Sequence, residues 1–543
     1  MGSAWSTFGP NRKIRQTAPR PPLPQRHAMS LPAVRFFHRG RVVAVEGASP
    51  TRSVLNWLRE DARCTGSKEG CNEGDCGACT VVVAELAEHA DAVGTTSARA
   101  TVVGGLSLRT VNSCIQFLPT LHGKALLTVE DLQAIAQGMA VADPGVGTLH
   151  PVQQALVDCH GSQCGFCTPG FAMSLAACYE RHCEAGSQPT RAELADELSG
   201  NLCRCTGYRP ILDAGERMFT LPPKRLDTAP IVAALRSLQG QQPGDATAEP
   251  AAGFHTPRTL AALAALVESR PQARLLAGST DIGLWVNKQF RALGEIVYLG
   301  DVDELKRIEW QGDTLRIGAG APLEDAWRAL VGVAPALAEV WRRFASLPVR
   351  NAGTMGGNVA NGSPIGDSAP VLLALDAALL LRRGAQQRRL PLADFYVDYM
   401  KNRLAPGEFI EAIELPRPAA STQVRAYKLS KRFDCDISAV CAGLALTLDG
   451  ETVVQARFAF GGMAAIVKRA AAAEAAVVGQ PWTEATVQAA MAALATDYAP
   501  LTDMRASAGY RLRASQNLLM RLWLETRPVA PLPTSQTNVW AAA

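Results

Sequence analysis

Two groups of four cysteines could carry chemistry in this sequence, and all eight residues lie before residue 206. The first group has three cysteines in one loop and a fourth further along the chain: Cys71, Cys76, Cys79 and Cys114. The second group consists of two close pairs: Cys164, Cys167, Cys203 and Cys205. Because four thiolates held in a small volume bind soft metal centres, the sequence predicts two metal sites.

The spacing of the first quartet is typical of a plant-type ferredoxin, with four and then two residues between the first three cysteines. Its loop, Glu69–Cys79, contains glycines that let backbone N–H groups approach a cluster and that adopt φ values other residues resist. A structural zinc site also uses four cysteines, usually as two separated pairs. Since three ligands lie in one loop here, the pattern favours a 2Fe–2S cluster.

The second quartet is a pair of pairs, which could hold either zinc or a 2Fe–2S cluster, and its spacing does not decide between them. The other six cysteines have no partner pattern and are interpreted as small apolar or incidental thiols. They are Cys64, Cys159, Cys178, Cys183, Cys435 and Cys441.

Length and charge limit the classes of function. A chain of 543 residues suggests three or four domains at about 150 residues each. A net charge of +4, with acidic and basic residues interspersed, gives no indication of nucleic-acid binding. No apolar run is long enough to predict a membrane span or a signal peptide. Closely spaced cysteines without an export signal predict a reducing, cytoplasmic location.

The local patterns predict a series of domains. A hairpin (Val34–Phe37 with Val42–Val45), a helix near Val54–Leu58 and a strand at Thr80–Ala84 surround the first cysteine loop. The predicted order is a disordered extension, a ferredoxin-like domain, a helical domain, a linker, a glycine-rich α/β domain and a C-terminal α+β domain. The corresponding ranges are 1–32, 33–121, 122–217, 218–252, 253–418 and 422–528. Met29 is an alternative translation start.

Two glycine-rich stretches follow the linker, Leu275–Ile282 and Asn351–Asp367. Neither matches a dinucleotide-binding fingerprint or a Walker A loop. Small residues with Ser and Thr can form nests of N–H groups that hold a pyrophosphate, although tight turns between strands have the same composition. No nucleophile elbow or histidine arrangement predicts a catalytic group on this chain.

Four cysteine-containing strings resemble those of the molybdenum hydroxylases. They are the loop ending at Cys79, Val111-Asn-Ser-Cys-Ile-Gln116, Gln163-Cys-Gly-Phe-Cys-Thr-Pro-Gly170 and Cys203-Arg-Cys-Thr-Gly-Tyr-Arg-Pro210. Within that family, the chain is similar to the small iron–sulfur and flavin subunit of bacterial xanthine dehydrogenases. The resemblance implies a multidomain α+β fold. Its parts would be a plant-ferredoxin-like β-grasp domain, a helical 2Fe–2S domain, an FAD-binding α/β domain and a C-terminal α+β flavoprotein domain.

The resemblance also implies roles for individual residues. The first quartet would bind one 2Fe–2S cluster, and the second quartet would bind the cluster nearer molybdenum. Phe344 would stack on the isoalloxazine, Ile410 and Lys428 would contact the flavin, and Tyr399 would lie near the nicotinamide. The remaining residues expected to contact FAD come from the two glycine-rich stretches: Leu275, Leu276, Ala277, Gly278, Ser279, Thr280, Asp281, Ile282, Gly353, Thr354, Gly356, Gly357, Asn358, Ser363 and Asp367.

The implied function is electron transfer during oxidation of hypoxanthine and xanthine to urate. Electrons would pass from molybdenum through the two clusters to FAD and then to NAD. Family members that work alone continue into a molybdopterin-binding region, so we expect a large partner subunit, in a heterodimer or a dimer of heterodimers. An aldehyde or an N-heterocycle is the alternative substrate, and a zinc-stapled interaction module is the alternative from another class. The departures from the family are the basic N-terminus and the Ala/Thr-rich stretch 90–101.

Overall fold

A computed structural model describes residues 33–87, 102–139, 147–240 and 247–537. The predicted N-terminal extension and the Ala/Thr-rich stretch 90–101 lie outside these ranges. Within the described ranges, no helix has the length and apolar character needed to cross a bilayer.

The first domain is a mixed sheet of six strands, with strand order β2-β1-β6-β3-β5-β4 and with β1 parallel to β6. Its elements are β1 (Ala33–His38), β2 (Arg41–Glu46), α1 (Val54–Glu60), β3 (Thr80–Leu86), β4 (Val102–Val103), β5 (Leu106–Asn112) and β6 (Ala125–Leu127). Helix α1 buries Trp57 and Leu58 against one face of the sheet. The predicted hairpin, helix and strand are confirmed, and the cysteine loop lies between α1 and β3.

The second domain is helical, as predicted. Its helices are α2 (Val129–Gln137), α3 (Pro151–Asp158), α4 (Thr168–Ala185), α5 (Arg191–Glu197) and α6 (Arg209–Arg217). A capping box is present, because Thr190 and Glu193 bond reciprocally at the start of α5. Helix α4 begins directly after Cys167, and α6 begins four residues after Cys205, so both cysteine pairs lie close to helix starts.

The segment that composition indicated as a linker contains a helix, α7 (Ala229–Gly240). Its apolar residues Ile231, Leu235 and Leu238 repeat at helical spacing and are buried in the core of the iron–sulfur half. This helical spacing of apolar residues was not recognised in the sequence because the flanking residues are rich in Pro, Gln and Gly. The helix therefore holds the chain against the first two domains before it enters the third.

The third domain contains two sheets and a short hairpin. One sheet, ordered β7-β8-β10-β9, has parallel central pairs, and the other, ordered β11-β12-β17-β13-β14, is antiparallel. The strands are β7 (Ala248–Ala251), β8 (Phe254–Thr256), β9 (Arg274–Leu276), β10 (Ile296–Tyr298), β11 (Ile308–Gln311), β12 (Thr314–Gly318), β13 (Ala378–Arg383), β14 (Gln386–Pro391), β15 (Tyr396–Asp398), β16 (Lys401–Asn402) and β17 (Phe409–Pro416). The helices are α8 (Leu260–Ser269), α9 (Ile282–Asn287), α10 (Leu323–Val333), α11 (Ala338–Arg343), α12 (Leu347–Ala352), α13 (Met355–Asn361) and α14 (Ser368–Ala374).

The C-terminal domain packs helices on one antiparallel sheet, with strand order β18-β19-β20-β21. Its elements are β18 (Thr422–Leu429), β19 (Val440–Asp449), β20 (Thr452–Gly461), β21 (Lys468–Arg469), α15 (Ala471–Val477), α16 (Glu484–Asp497), α17 (Ala508–Thr526) and α18 (Thr534–Thr537). Phe458, Trp482 and Leu519 lie in its core. The α+β character expected of this region is confirmed.

Candidate functional site

The four thiols of the first quartet lie close together beside the sheet. The Sγ atoms of Cys79 and Cys114 are 3.3 Å apart. The Cys71 sulfur is within hydrogen-bonding distance of the Cys76 and Cys114 thiols, and it also accepts the Cys76 backbone N–H at 3.4 Å. The loop and the end of β5 therefore assemble the donor set that the spacing predicted.

Hydrogen bonds between the thiols shift the pKa values of the four cysteines in this quartet. The pKa of Cys71 is held well below its usual range because its sulfur accepts hydrogen bonds from Cys114 and Cys76. The pKa of Cys79 is lowered mainly by the Cys114 thiol. The donor thiols, Cys76 and Cys114, have pKa values raised by the same contacts. Such a set of closely packed cysteine sulfurs fits a soft metal centre.

The second quartet also converges. The Cys164 sulfur contacts the Cys205 thiol, and the Cys203 sulfur contacts the Cys167 thiol. Thr206 donates its backbone N–H to the Cys203 sulfur at 3.4 Å, and its Oγ1 lies 3.2 Å from that sulfur. Cys164 and Cys205 are exposed, whereas Cys203 is buried. The quartet therefore has one edge open to solvent.

A short segment joins the two quartets. The backbone N–H of Leu202 donates to the carbonyl of Cys76 at 3.0 Å. Next to it, the Asn201 amide donates to the Gly77 carbonyl at 3.1 Å and is held by the Ser174 hydroxyl at 2.6 Å. At Gly77 (φ +69°) a Cβ would lie 2.2 Å from a backbone oxygen of this segment, so the close approach requires glycine. The residue before Cys203 is thus bonded to a residue of the first quartet.

The two glycine-rich stretches lie against each other. A Cβ at Gly278 would be 1.8 Å from the carbonyl oxygen of Ala352, and a Cβ at Gly353 would be 3.3 Å from the Thr280 hydroxyl. Between them Ser279 has a φ of +61°, is buried, and has a hydroxyl with no hydrogen-bond partner. A buried hydroxyl without a partner is costly unless a ligand completes it, so these residues fit a phosphate-bearing cofactor such as FAD.

The second glycine-rich stretch ends, at Asp367, in a buried ion pair. Lys428 Nζ lies 2.6 Å from the Asp367 carboxylate and 2.8 Å from the Ser438 hydroxyl, which itself donates to Asp367 at 2.6 Å. In the second segment, Thr354 caps α13 by accepting the Gly357 N–H at 3.1 Å. The structure therefore brings the end of the second glycine-rich stretch together with Lys428, and the resemblance assigns both to the flavin site.

The loop that contains Phe344 is held in place through the backbone carbonyl of Phe344. Its backbone oxygen accepts the Arg350 guanidinium at 2.9 Å, and Arg350 is held by the buried Glu324 carboxylate at 2.7 Å. The next residue, Ala345, has a φ of +50°, and the Phe344 ring lies 5.8 Å from the ring of Trp327. Reasoning from sequence missed Arg350 and Glu324. Arg350 ends the Phe-Ala-Ser-Leu-Pro-Val-Arg string, whereas nothing in the pattern marked Glu324.

The last two predicted flavin contacts differ in exposure. Ile410 is buried on β17, in the same apolar cluster as Phe344. Tyr399 is 61% exposed at the tip of the β15–β16 hairpin. The hairpin is attached to α13, because Tyr396 donates its hydroxyl to the Val359 carbonyl at 3.1 Å. Tyr399 is therefore beside the second glycine-rich stretch but open to solvent.

Three family models match the chain in succession. A [2Fe-2S] binding domain matches residues 135–216, an FAD binding domain in molybdopterin dehydrogenase matches residues 249–418, and a CO dehydrogenase flavoprotein C-terminal domain matches residues 425–526. These ranges contain the second quartet, both glycine-rich stretches and the buried Lys428, respectively.

The chain is also similar to curated proteins and to a solved structure. The xanthine dehydrogenase of Emericella nidulans is 30% identical over 86% of this chain and 36% of the relative, and that of Calliphora vicina is 30% identical over 83% and 36%. Aldehyde oxidase 2 of Cavia porcellus is 29% identical over 84% and 37%. A carbon monoxide dehydrogenase chain from Hydrogenophaga pseudoflava is 29% identical, with a TM-score of 0.47 over 49% of this chain and 94% of that chain.

The chain spans about a third of the length of the curated relatives it matches. The shared part is the iron–sulfur and flavin part, in which both cysteine quartets and the glycine-rich loops lie. With three successive family models and these relatives in agreement, the chain belongs to the molybdenum hydroxylase family.

Proposed function

We propose that this chain is the iron–sulfur and flavin subunit of a xanthine dehydrogenase, with the molybdenum centre on a large partner subunit. Bound iron–sulfur clusters would carry electrons one at a time, and bound FAD would collect pairs and pass them to NAD. The eight cysteines of the two quartets would hold the clusters. The partner would supply the purine site.

The observation that carries the proposal is the bonded connection between the quartets. Leu202 donates to the Cys76 carbonyl at 3.0 Å, and Asn201 is bonded to the Gly77 carbonyl. Two metal sites used only to staple separate folds would not need their ligand loops to share hydrogen bonds. A relay does, because the distance between its centres must be fixed.

The exposed edge of the second quartet supports entry of electrons from a protein partner. Cys164 and Cys205 are exposed there. Apolar side chains close to them in the sequence are exposed as well: Val157, Phe166, Leu202 and Tyr208. Apolar groups gathered at a surface indicate a docking site. We infer that the large subunit covers this edge and protects the second cluster from solvent.

The flavin side of the relay lies in the third and fourth domains. The unpartnered Ser279 hydroxyl would donate to the FAD pyrophosphate, while Phe344, Ile410 and the Asp367–Lys428 pair would surround the isoalloxazine. Tyr399, exposed on its hairpin, would lie where NAD approaches. Because the approach from solvent stays open on this side, the acceptor would bind to this chain and not to the partner.

The relatives support a purine substrate, since several of them are xanthine dehydrogenases, and aldehyde oxidases are the second group. We therefore propose xanthine and hypoxanthine as the substrates of the complex, with aldehydes as the alternative. All fourteen cysteines lie in the described residues and none forms a disulfide, in keeping with a reducing cytoplasmic location.

The test is to tag this chain, isolate it with the large subunit that co-purifies, and assay xanthine-dependent NAD reduction. We expect a brown complex that contains iron, flavin and molybdenum, and whose visible absorbance is bleached by NADH. Turnover of an aldehyde but not of xanthine would mean that the complex acts on the alternative substrate class. A colourless chain with stoichiometric zinc and no iron would refute the relay.

A further inference from the structure

Helix α9 connects the first glycine-rich stretch to the first cysteine quartet. It begins at Ile282, directly after the residues proposed to hold the FAD pyrophosphate, and ends at Asn287. A Cβ at Gly283 would lie 2.9 Å from the backbone oxygen of Ile115, the residue after Cys114, so the helix backbone is in close contact with that chain segment. Leu284 packs on the buried cluster that contains Cys79 and Cys114.

The end of α9 is bonded to two segments that carry ligands of the first quartet. The Asn287 amide donates to the Cys114 carbonyl at 2.9 Å and to the Asn72 side-chain oxygen at 3.1 Å. Asn72 follows Cys71 and has a φ of +56°, in the left-handed region that Asn adopts more readily than most residues. One amide from the flavin domain thus fixes both Cys114 and the turn that follows Cys71.

The positively charged Lys288 follows Asn287 in the chain and also contacts the cysteine loop. Lys288 Nζ donates to the carbonyl of Cys71 at 2.5 Å and lies 3.6 Å from the Glu73 carboxylate. The Lys288 side chain is 42% exposed, so the charge is partly hydrated and partly directed at the loop. The flavin domain therefore supplies a positive charge and a side-chain amide to the backbone of Cys71 and Cys114, two cysteines that belong to another domain.

We propose that Asn287 and Lys288 are positioning residues that raise the reduction potential of the first cluster relative to the second. The inference rests on the proposed function, in which this quartet holds a 2Fe–2S cluster. Reduction adds one negative charge to a cluster, and a nearby cation and N–H donors stabilise that charge. Because Asn287 and Lys288 contact the backbone of Cys114 and Cys71, they stabilise the reduced form of the cluster next to the flavin domain.

The test uses the whole complex and follows both clusters by electron paramagnetic resonance during a redox titration, so that the second cluster is an internal reference. In Lys288→Gln we expect the ratio of reduced first cluster to reduced second cluster, at a fixed potential, to fall about three- to tenfold, as for loss of one partly exposed charge. Asn287→Ala should shift it in the same direction. Lys288→Arg should restore the ratio, because it keeps the charge.

The matched control is Lys468→Gln, which removes the same charge from the C-terminal domain, where Lys468 lies over the ring of Tyr498. It should leave the ratio unchanged. Equal shifts of both clusters in Lys288→Gln, no shift with full iron content, or loss of the first cluster itself would overturn the proposal. A wild-type complex that holds no iron would instead refute the proposed function, so the two failures are distinguishable.

Discussion

Lys428 and Asp367 form an ion pair at 2.6 Å between the third and fourth domains, and both side chains are almost fully buried. The Ser438 hydroxyl accepts from Lys428 and donates to the other oxygen of Asp367, so the polar groups of the pair are bonded to one another. The two residues are 61 positions apart in the chain. A single contact thus connects the start of α14 to β18 at the proposed flavin site.

Lys428→Met should destabilise the protein and weaken flavin binding together. Removing one partner of a buried ion pair leaves the other charge uncompensated, which costs about 3–5 kcal/mol. We expect a lower apparent melting temperature and a lower FAD content after gel filtration. The control is Lys401→Met, which breaks the exposed pair with Asp398 and should change the melting temperature little. Equal effects of the two variants would contradict a special role for the buried pair.

Ser279→Ala should affect the FAD-bound and FAD-free proteins differently. The buried hydroxyl has no partner among the residues that the structure describes, so its removal costs the FAD-free protein nothing and relieves an unsatisfied group. FAD would lose one hydrogen bond, worth about 1 kcal/mol, or about a fivefold loss of affinity. Titration of the deflavinated protein with FAD, followed by fluorescence, measures the loss.

The control for this hydroxyl is Ser269→Ala, which removes an exposed side chain that donates to the Leu266 carbonyl at the end of α8. It should leave FAD affinity unchanged. Unchanged affinity in Ser279→Ala would remove this residue from the pyrophosphate site. A large fall in the stability of the FAD-free protein would mean that the hydroxyl has a structural partner.

His150 should make stability depend on pH below neutrality. It caps α3 by accepting the Val152 N–H at 3.3 Å, and burial lowers its pKa from 6.5 to about 4. Between these values the unfolded chain binds the proton and the folded protein does not, so stability is lost as the pH falls from 6.5 towards 4. Each pKa unit corresponds to about 1.4 kcal/mol, so the full effect is on the order of 3 kcal/mol.

Melting temperatures measured from pH 7.5 to pH 5 test this dependence. His150→Asn keeps a capping side chain but cannot be protonated, so we expect a flatter profile below pH 6.5. His160→Asn, at an exposed position with a φ of +55° that suits Asn, is the control and should leave the profile as in the wild type. A His150→Asn profile as steep as that of the wild type would contradict the assignment.

The sequence predicted those parts of the structure that depend on local spacing. The convergence of Cys71 with Cys114 follows from a motif with a known geometry, and the hairpin at the start of the first domain follows from residues that are near in sequence. The Ser279 loop was predicted as one that could bind phosphate, but the unpartnered hydroxyl became visible only in the fold. The residues proposed to bind the clusters and the flavin phosphates could therefore be identified from local sequence patterns.

Contacts between separate secondary-structure elements could not be predicted in the same way. Asn287 reaches Cys114 across 173 positions, and Glu324 holds Arg350 from a different helix. Neither contact has a periodicity or a spacing that a single sequence reveals. The helix at 229–240 was obscured by the Pro and Gln residues around it, and its three buried residues are explained by packing and not by propensity. Tertiary structure thus determined how the ligand sets are connected.

Cys203→Ser should separate the two halves of the proposed relay. Cys203 belongs to the second quartet and lies far along the chain from the glycine-rich loops, so its loss should remove transfer from xanthine to NAD. NADH-driven reduction of an artificial acceptor at the flavin should remain near the wild-type rate, because that path does not use the second cluster. Both rates are measured on complexes with equal FAD content, against Cys178→Ser, a buried cysteine outside both quartets. That control should retain both activities, whereas equal loss of both in Cys203→Ser would contradict the order second cluster, first cluster, flavin.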